Sequence, residues 1–221
     1  VSDNEKPAFD LCPSDQDVST DIGYPTAVVN WTPPTATDNA GIQTLTATYY
    51  SGENFTIGNN TVTYTATDDA GNTETCTFFV IVSDNEKPAF DLCPSDQDVS
   101  TDIGYPTAVV NWTQPTATDN SGIQTLTSTH NSGENFTIGN NTVIYTATDD
   151  AGNTETCTFF VIVSDNEKPV FDLCPGDQDV TTDIGYPTAV VNWTQPTATD
   201  NSGIQTLTST HNSGENFTIG N

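Results

Sequence analysis

Thr61-Val62-Thr63-Tyr64-Thr65-Ala66-Thr67-Asp68, then Asp69-Ala70-Gly71-Asn72, then Thr73-Glu74-Thr75-Cys76-Thr77-Phe78-Phe79-Val80-Ile81-Val82 is the stretch on which the fold turns. Val62, Tyr64 and Ala66 alternate with threonines; Cys76, Phe78, Val80 and Val82 alternate with Thr75, Thr77, Phe79 and Ile81. A period of two belongs to strands that bury one face. The four residues between the runs carry turn chemistry. Working outward, Ala27, Val29 and Trp31 alternate with Val28, Asn30 and Thr32, and Leu45, Ala47 and Tyr49 with Thr44, Thr46 and Thr48. Pro33-Pro34, Asp38-Asn39-Ala40-Gly41 and Gly58-Asn59-Asn60 read as turns between them. No stretch carries helical periodicity. Short strands with turns every ~8–12 residues predict an all-β, immunoglobulin-like sandwich.

That sandwich is repeated. Ser-Asp-Asn-Glu-Lys-Pro begins at Ser2, Ser83 and Ser164, a constant spacing of 81 residues. The first two copies differ only at Pro33/Gln114, Ala40/Ser121, Ala47/Ser128, Tyr49/His130, Tyr50/Asn131 and Thr63/Ile144. The third differs from the second at Val170, Gly176 and Thr181. The boundaries predicted are 1–82, 83–163 and 164–221. The third copy is incomplete: it lacks the two strands that the opening stretch supplies to the first. Tandem units in an elongated array suit a filament or an adhesive surface better than a single catalytic centre. The missing strands are expected from continuation of the chain past residue 221, with donation by another copy as the alternative. Met is absent and no signal peptide is visible, which reads as a window onto a longer mature chain.

Charge narrows the partners. Three Lys, no Arg and 30 acidic residues give a net charge of −27. Phosphate binding needs a basic surface, so nucleic acid is excluded as a partner, and an anionic membrane surface is disfavoured. No apolar run approaches the ~18 residues of a spanning helix, so no membrane insertion is expected here. Thr accounts for 41 of the 221 residues. Thr favours strands, so the polarity of the chain lies on a β skin.

Cys12, Cys76, Cys93, Cys157 and Cys174 fall at two positions of the repeat. Pairing within a repeat gives Cys12–Cys76 and Cys93–Cys157 and leaves the mate of Cys174 past the end of the sequence. Pairing across the linker gives Cys76–Cys93 and Cys157–Cys174. The strand assignment favours the first, because the opening and closing strands of a sandwich are neighbours. Disulfides in either arrangement imply an extracellular location. With no CxxC and no His cluster, a zinc reading fails.

The order of motifs is specific. Pro7…Asp10-Leu11-Cys12-Pro13 opens the unit. Val29-Asn30-Trp31-Thr32…Pro34-Thr35-Ala36-Thr37-Asp38-Asn39 forms its centre, and Phe55-Thr56-Ile57-Gly58 follows. Thr61–Asp68, Gly71-Asn72, Cys76-Thr77-Phe78 and Val80-Ile81-Val82 close it. This pattern resembles the hyalin repeat over the full 81 residues. The resemblance implies a secreted immunoglobulin-like sandwich of adhesion and matrix layers, with no catalytic residues to carry over. The family's namesake forms a calcium-dependent extracellular coat.

Asn-x-Thr sequons stand at Asn30, Asn54, Asn59, Asn111, Asn135, Asn140, Asn192 and Asn216. Alternation turns Asn30 away from the face of Trp31, Asn54 precedes an inward Phe55, and Asn59 sits in a predicted turn. All eight are therefore candidate N-glycan acceptors.

Acidic residues gather at the predicted repeat boundaries. Asp84, Asn85 and Glu86 lie in the linker, and Asp119-Asn120 and Asp149-Asp150…Asn153 in two loops that an immunoglobulin-like fold brings to the same end, so that carboxylate and amide oxygens gather there. The linker is also similar to the calcium linker of cadherins, without its full Asp-x-Asn-Asp-Asn. Hard oxygen donors so placed suit Ca²⁺; as a solvated set they are ordinary Asx turns.

The threonine rows Thr44/Thr46/Thr48, Thr61/Thr63/Thr65/Thr67 and Thr73/Thr75/Thr77 are usual outward residues of sandwich strands. A flat ice- or glycan-binding plane is the other reading, and Ile144 in place of Thr63 interrupts it. His130 and His211 occupy a position held by Tyr49 in the first repeat, and no Ser-His-Asp order or phosphate loop occurs. The sequence thus predicts a non-enzymatic extracellular glycoprotein that assembles with copies of itself. A ligand-binding cell-surface receptor ectodomain is the alternative.

Overall fold

The computed structural model describes residues 2–220, and no helix occurs among them. By internal contacts the chain parts into two compact units. One runs through Cys93 and adds Pro115–Thr129 and Ile144–Cys157; the other comprises Pro94–Gln114, His130–Val143 and everything from Thr158. The division passes through the second repeat, so the repeats and the compact units do not coincide.

In the first unit the opening repeat is an open sandwich. Its strands are β1 (Ala8–Phe9), β2 (Gln16–Ser19), β3 (Thr26–Val29), β4 (Ala36–Thr37), β5 (Ile42–Ala47), β6 (Glu53–Thr56), β7 (Gly58–Asp68) and β8 (Thr73–Ser83). A four-stranded sheet runs β2-β8-β7-β5; two-stranded ladders β3-β6 and β1-β4 complete the repeat. The β7–β8 hairpin is the spine, pairing antiparallel from Gly58↔Val82 to Thr67↔Thr73. β2 joins it in parallel, with Gln16 against Val80 and Ser19 against Ser83.

The core follows the alternation. Val62, Tyr64, Phe78, Val80 and Val82 of the hairpin meet Ala27, Val29 and Phe55 of the β3–β6 ladder, with Trp31 packed against them. Trp31 stacks edge-on to Phe78 with ring centres 5.2 Å apart, and its Nε1 donates to Tyr64 Oη at 2.9 Å. Each fully buried aliphatic or Phe side chain contributes ~1.5–3 kcal/mol. At the sheet edge the pattern fails: Leu45 on β5 is 39% exposed. Gly58-Asn59-Asn60, expected as a turn, is the start of β7. Asn60 Nδ2 holds that corner by donating to Thr56 O, Gly58 O and Val80 O.

The second repeat follows the same plan: β9 (Ala89–Phe90), β10 (Gln97–Ser100), β11 (Thr107–Val109), β12 (Ala117–Thr118), β13 (Ile123–Ser128), β14 (Asn135–Thr137), β15 (Gly139–Asp149) and β16 (Thr154–Ser164). In the first unit β12 pairs with β9, and β13 with the Tyr145–Asp149 end of β15. In the second unit β11 pairs with β14, and β10 lies parallel to Val161–Ser164 of β16.

From the third repeat, the second unit holds β17 (Val170–Leu173), β18 (Thr188–Val191), β19 (Thr197–Thr199) and β20 (Glu215–Thr218), paired β17-β19 and β18-β20. Gln178–Thr181 and Ile204–Ser209, the counterparts of β2 and β5, form no strand. In the first repeat those strands pair only with β8 and β7, whose sequence has no counterpart here. The face that β7 and β8 cover elsewhere is an open cleft lined by Ala189, Val191, Trp193 and Phe217.

Candidate cation site at the start of each repeat

The site grows out of strand register. β2 and β8 run parallel and end together at Ser19 and Ser83, so the residues that follow are neighbours. Thr20 N donates to Ser83 O at 3.0 Å, and Thr20 Oγ1 lies 3.3 Å from Asp84 Oδ1. The Asp84 carboxylate is thereby drawn in to 5% exposure. Asp119 follows β12, where Asp119 Oδ1 accepts from Ser121 N and Oγ in an Asx turn. Asp149 ends β15 fully buried, and both its oxygens are held by Asn153, through N at 2.7 Å and Nδ2 at 2.9 Å.

Carboxylate oxygens of Asp84, Asp119 and Asp149 lie within 4.8 Å of one another. Two unit charges ~5 Å apart at an effective dielectric of ~20 repel by about 3 kcal/mol. No lysine bond offsets this at the first two repeats: Lys6 pairs with Glu74 and Lys87 with Glu155. Burial raises the Asp84 carboxyl. The surrounding polar groups, first the Ser121 hydroxyl shared between Asp84 and Asp119 and then the Glu86 N–H, Asn120 and Thr20, more than offset it, so Asp84 titrates below the ordinary aspartate value. Asp84 Oδ2, Asp119 Oδ2 and Asn120 Oδ1 are buried and accept no hydrogen bond.

The donor set fits a hard cation. It contains oxygen only, as Ca²⁺ prefers. Ligands to Ca²⁺ stand at about 2.3–2.6 Å, so oxygens sharing one ion lie at most ~5 Å apart. The cluster meets that limit.

Of the five residues expected to bind metal, the structure gathers three. Glu86 turns away and caps the Gly23 N–H with Oε2 at 2.9 Å. Asp150 stays outside the cluster, its Oδ2 beside Gly122. Gly122 has φ +104, a conformation that brings its backbone close to that carboxylate. Glu86 and Asp150 were drawn in by linear proximity, which does not fix side-chain direction.

The first repeat holds an equivalent cluster, Asp3, Asp38 and Asp68, that the sequence analysis did not single out. The 81-residue period would have found it. Asp68 is fully buried and held by Asn72 N and Nδ2, both at 2.8 Å, and Asp3 Oδ2 and Asp38 Oδ2 accept no hydrogen bond. In the third repeat Asp200 Oδ2 and Asn201 Oδ1 are likewise unpartnered, while Ser202 Oγ bridges Asp165 and Asp200. A residue 81 positions beyond Asp149 falls outside the sequence.

Disulfides join Cys12 to Cys76 and Cys93 to Cys157; Cys174 is free and exposed. Cys12 lies in the loop after β1 rather than on a strand. All eight sequon asparagines are exposed. His130 and His211 stack on Phe136 and Phe217 and pair with Glu134 and Glu215, filling the aromatic position of Tyr49.

The chain is similar to hyalin of Strongylocentrotus purpuratus, 38% identical over 208 residues, covering 90% of this chain and 17% of that protein. Hyalin of Lytechinus variegatus is 38% identical over 209 residues, covering 90% and 39%. The mouse sushi, von Willebrand factor type A, EGF and pentraxin domain-containing protein 1 is 37% identical over 161 residues, covering 69% and 4%. Among solved structures, protocadherin gammaB7 domains EC3-6 align over 90% of this chain and 62% of that one, with TM-score 0.37 and 16% identity. The disulfides fit an oxidising compartment, and with these relatives the chain is an extracellular or cell-surface protein. The HYR domain pattern matches residues 2–82, 83–163 and 164–221, and the chain belongs to the HYR domain family.

Proposed function

We propose that these tandem repeats serve a structural role, without catalysis, in an extracellular matrix or adhesion layer built from copies of the same chain. The reading rests on one observation: the same oxygen-lined cluster recurs at the start of successive repeats, Asp3/Asp38/Asp68 and then Asp84/Asp119/Asp149. A recurring cation site stiffens a repeat array at regular intervals, whereas a catalytic centre gains nothing from duplication. Calcium is the ion of choice for an all-oxygen donor set in a secreted protein. N-glycans on the exposed sequons keep the lateral faces solvated and leave the repeat ends for packing.

The test is assembly of the purified glycosylated chain with and without calcium, followed by sedimentation velocity and electron microscopy. Calcium-dependent filaments or layers, dispersed by chelator, are expected. A chain that stays monomeric at millimolar calcium, with unchanged hydrodynamic behaviour, overturns the proposal.

A further inference from the structure

Asn120 is the one side chain of the boundary site that faces two ways. Its Nδ2 donates to Tyr24 O at 2.9 Å, to Thr20 Oγ1 at 3.2 Å and towards Asp84 Oδ1 at 3.4 Å. A main-chain carbonyl only accepts, so the amide nitrogen has to face Tyr24 and the amide orientation is fixed. The carbonyl Oδ1 is then turned the other way, where it is buried and accepts nothing. The Asn120 amide lies against Asp84, which is only 5% exposed, and Oδ2 of Asp84 and Oδ2 of Asp119, the residue that precedes Asn120, are unpartnered as well. Buried acceptors without donors are rare because each forfeits its hydration. One cation between these neighbouring residues would satisfy all three acceptors together. All these residues belong to the first compact unit.

We propose that Asn120 Oδ1 is a ligand of a divalent cation held with Asp84 Oδ2, Asp119 Oδ2 and the Asp149 carboxylate, and that Asn120 couples this ion to the Thr20–Tyr24 loop of the preceding repeat. The inference rests on the calcium reading above and adds its regulation. An amide bound to the loop through nitrogen and to the ion through oxygen makes the two events mutually reinforcing: the ordered loop presents the oxygen, and the bound ion holds the loop. Coupling of this kind is reciprocal. In the 221-residue chain the equivalent residue of the first repeat, Asn39, is exposed, so in the test below the Asp3/Asp38/Asp68 cluster supplies the weaker class.

Calcium titration calorimetry on the full 221-residue chain, with hydrogen exchange of the Thr20–Tyr24 amides, tests it. The wild type binds calcium in a tighter and a weaker class, and calcium slows exchange in the loop. N120A weakens the tighter class about tenfold or more, the scale on which loss of a supporting group lowers metal affinity. It leaves the weaker class unchanged. N120D restores a ligand oxygen but has no donor for Tyr24 O, so it binds calcium while calcium no longer protects the loop. If D119N abolishes the tighter class and N120A leaves it intact, the calcium site stands and Asn120 is not its ligand. If the wild type binds no calcium at all, the calcium reading fails, and this inference with it. If N120D protects the loop as the wild type does, the coupling is wrong.

Discussion

The side-chain nitrogen of Asn120 lies 2.9 Å from the main-chain oxygen of Tyr24, a residue 96 positions earlier in the chain. The contact exists because β2 and β8 end in parallel register and deliver the Thr20–Tyr24 loop and the Asp84 linker to the same place. Glu86 reinforces it by accepting from the Gly23 N–H, and Asn85 Nδ2 donates to Ser19 Oγ. The linker of this HYR array is therefore held on both sides by the loop that precedes it.

If the boundary holds calcium as proposed, chelation is expected to loosen it without unfolding the repeats. Addition of EDTA is expected to speed amide exchange at residues 20–24 and 84–86, while the β7–β8 hairpin stays protected. Equal loss of protection in hairpin and linker would mean that the cation supports the whole fold.

Phe78 and Phe79 are adjacent and point to opposite faces, at 2% and 38% exposure. Phe78→Ala is expected to cost ~3–5 kcal/mol, because it removes the ring under Trp31. Phe79→Ala is expected to cost under ~1 kcal/mol. Chemical denaturation of both variants checks the difference.

Removing the Cys12–Cys76 bridge with Cys12→Ser/Cys76→Ser reopens a loop of 64 residues. In the chain-entropy model that loss is about 4 kcal/mol. Peptide mapping without reduction should recover the Cys12–Cys76 and Cys93–Cys157 peptides, and a Cys76–Cys93 peptide would contradict the structure.

Expressed through a eukaryotic secretory pathway, the chain should carry glycans on exposed sequons, Asn54, Asn59, Asn135, Asn140 and Asn216 foremost. Intact mass before and after enzymatic deglycosylation reads this directly. An unmodified mass removes the glycoprotein reading.

Glu134 titrates below 4.5, the ordinary value, chiefly because Asn131 and His130 donate to it; Glu74 and Glu155 do so because a backbone N–H and a lysine favour their ionised forms. A depressed carboxyl contributes stability above its unfolded pKa and loses it as pH falls through the folded one. The melting temperature should therefore stay level near neutrality and drop as pH falls below about 4.5. A maximum at acidic pH would reverse the sign.

The sequence alone determined the alternation of Thr61–Asp68 and Thr73–Val82, the 81-residue period and the cysteine positions. Strand faces follow from a period of two, and the buried set Val62, Tyr64, Phe78, Val80 and Val82 was legible before any coordinate. Tertiary structure decided which acidic residues meet. Glu86 and Asp150 stand as close in sequence to the cluster as its members, yet backbone direction aims them elsewhere. It also decided whether a segment is a strand at all. Ile123–Ser128 and Ile204–Ser209 have the same six residues; the first is β13, and the second has no ladder. An edge strand satisfies its backbone only against a neighbour. β13 has β15 beside it, whereas the hairpin that would flank Ile204–Ser209 has no counterpart among these 221 residues. Local sequence sets what a segment is able to form, and the presence of a partner sets what it does form.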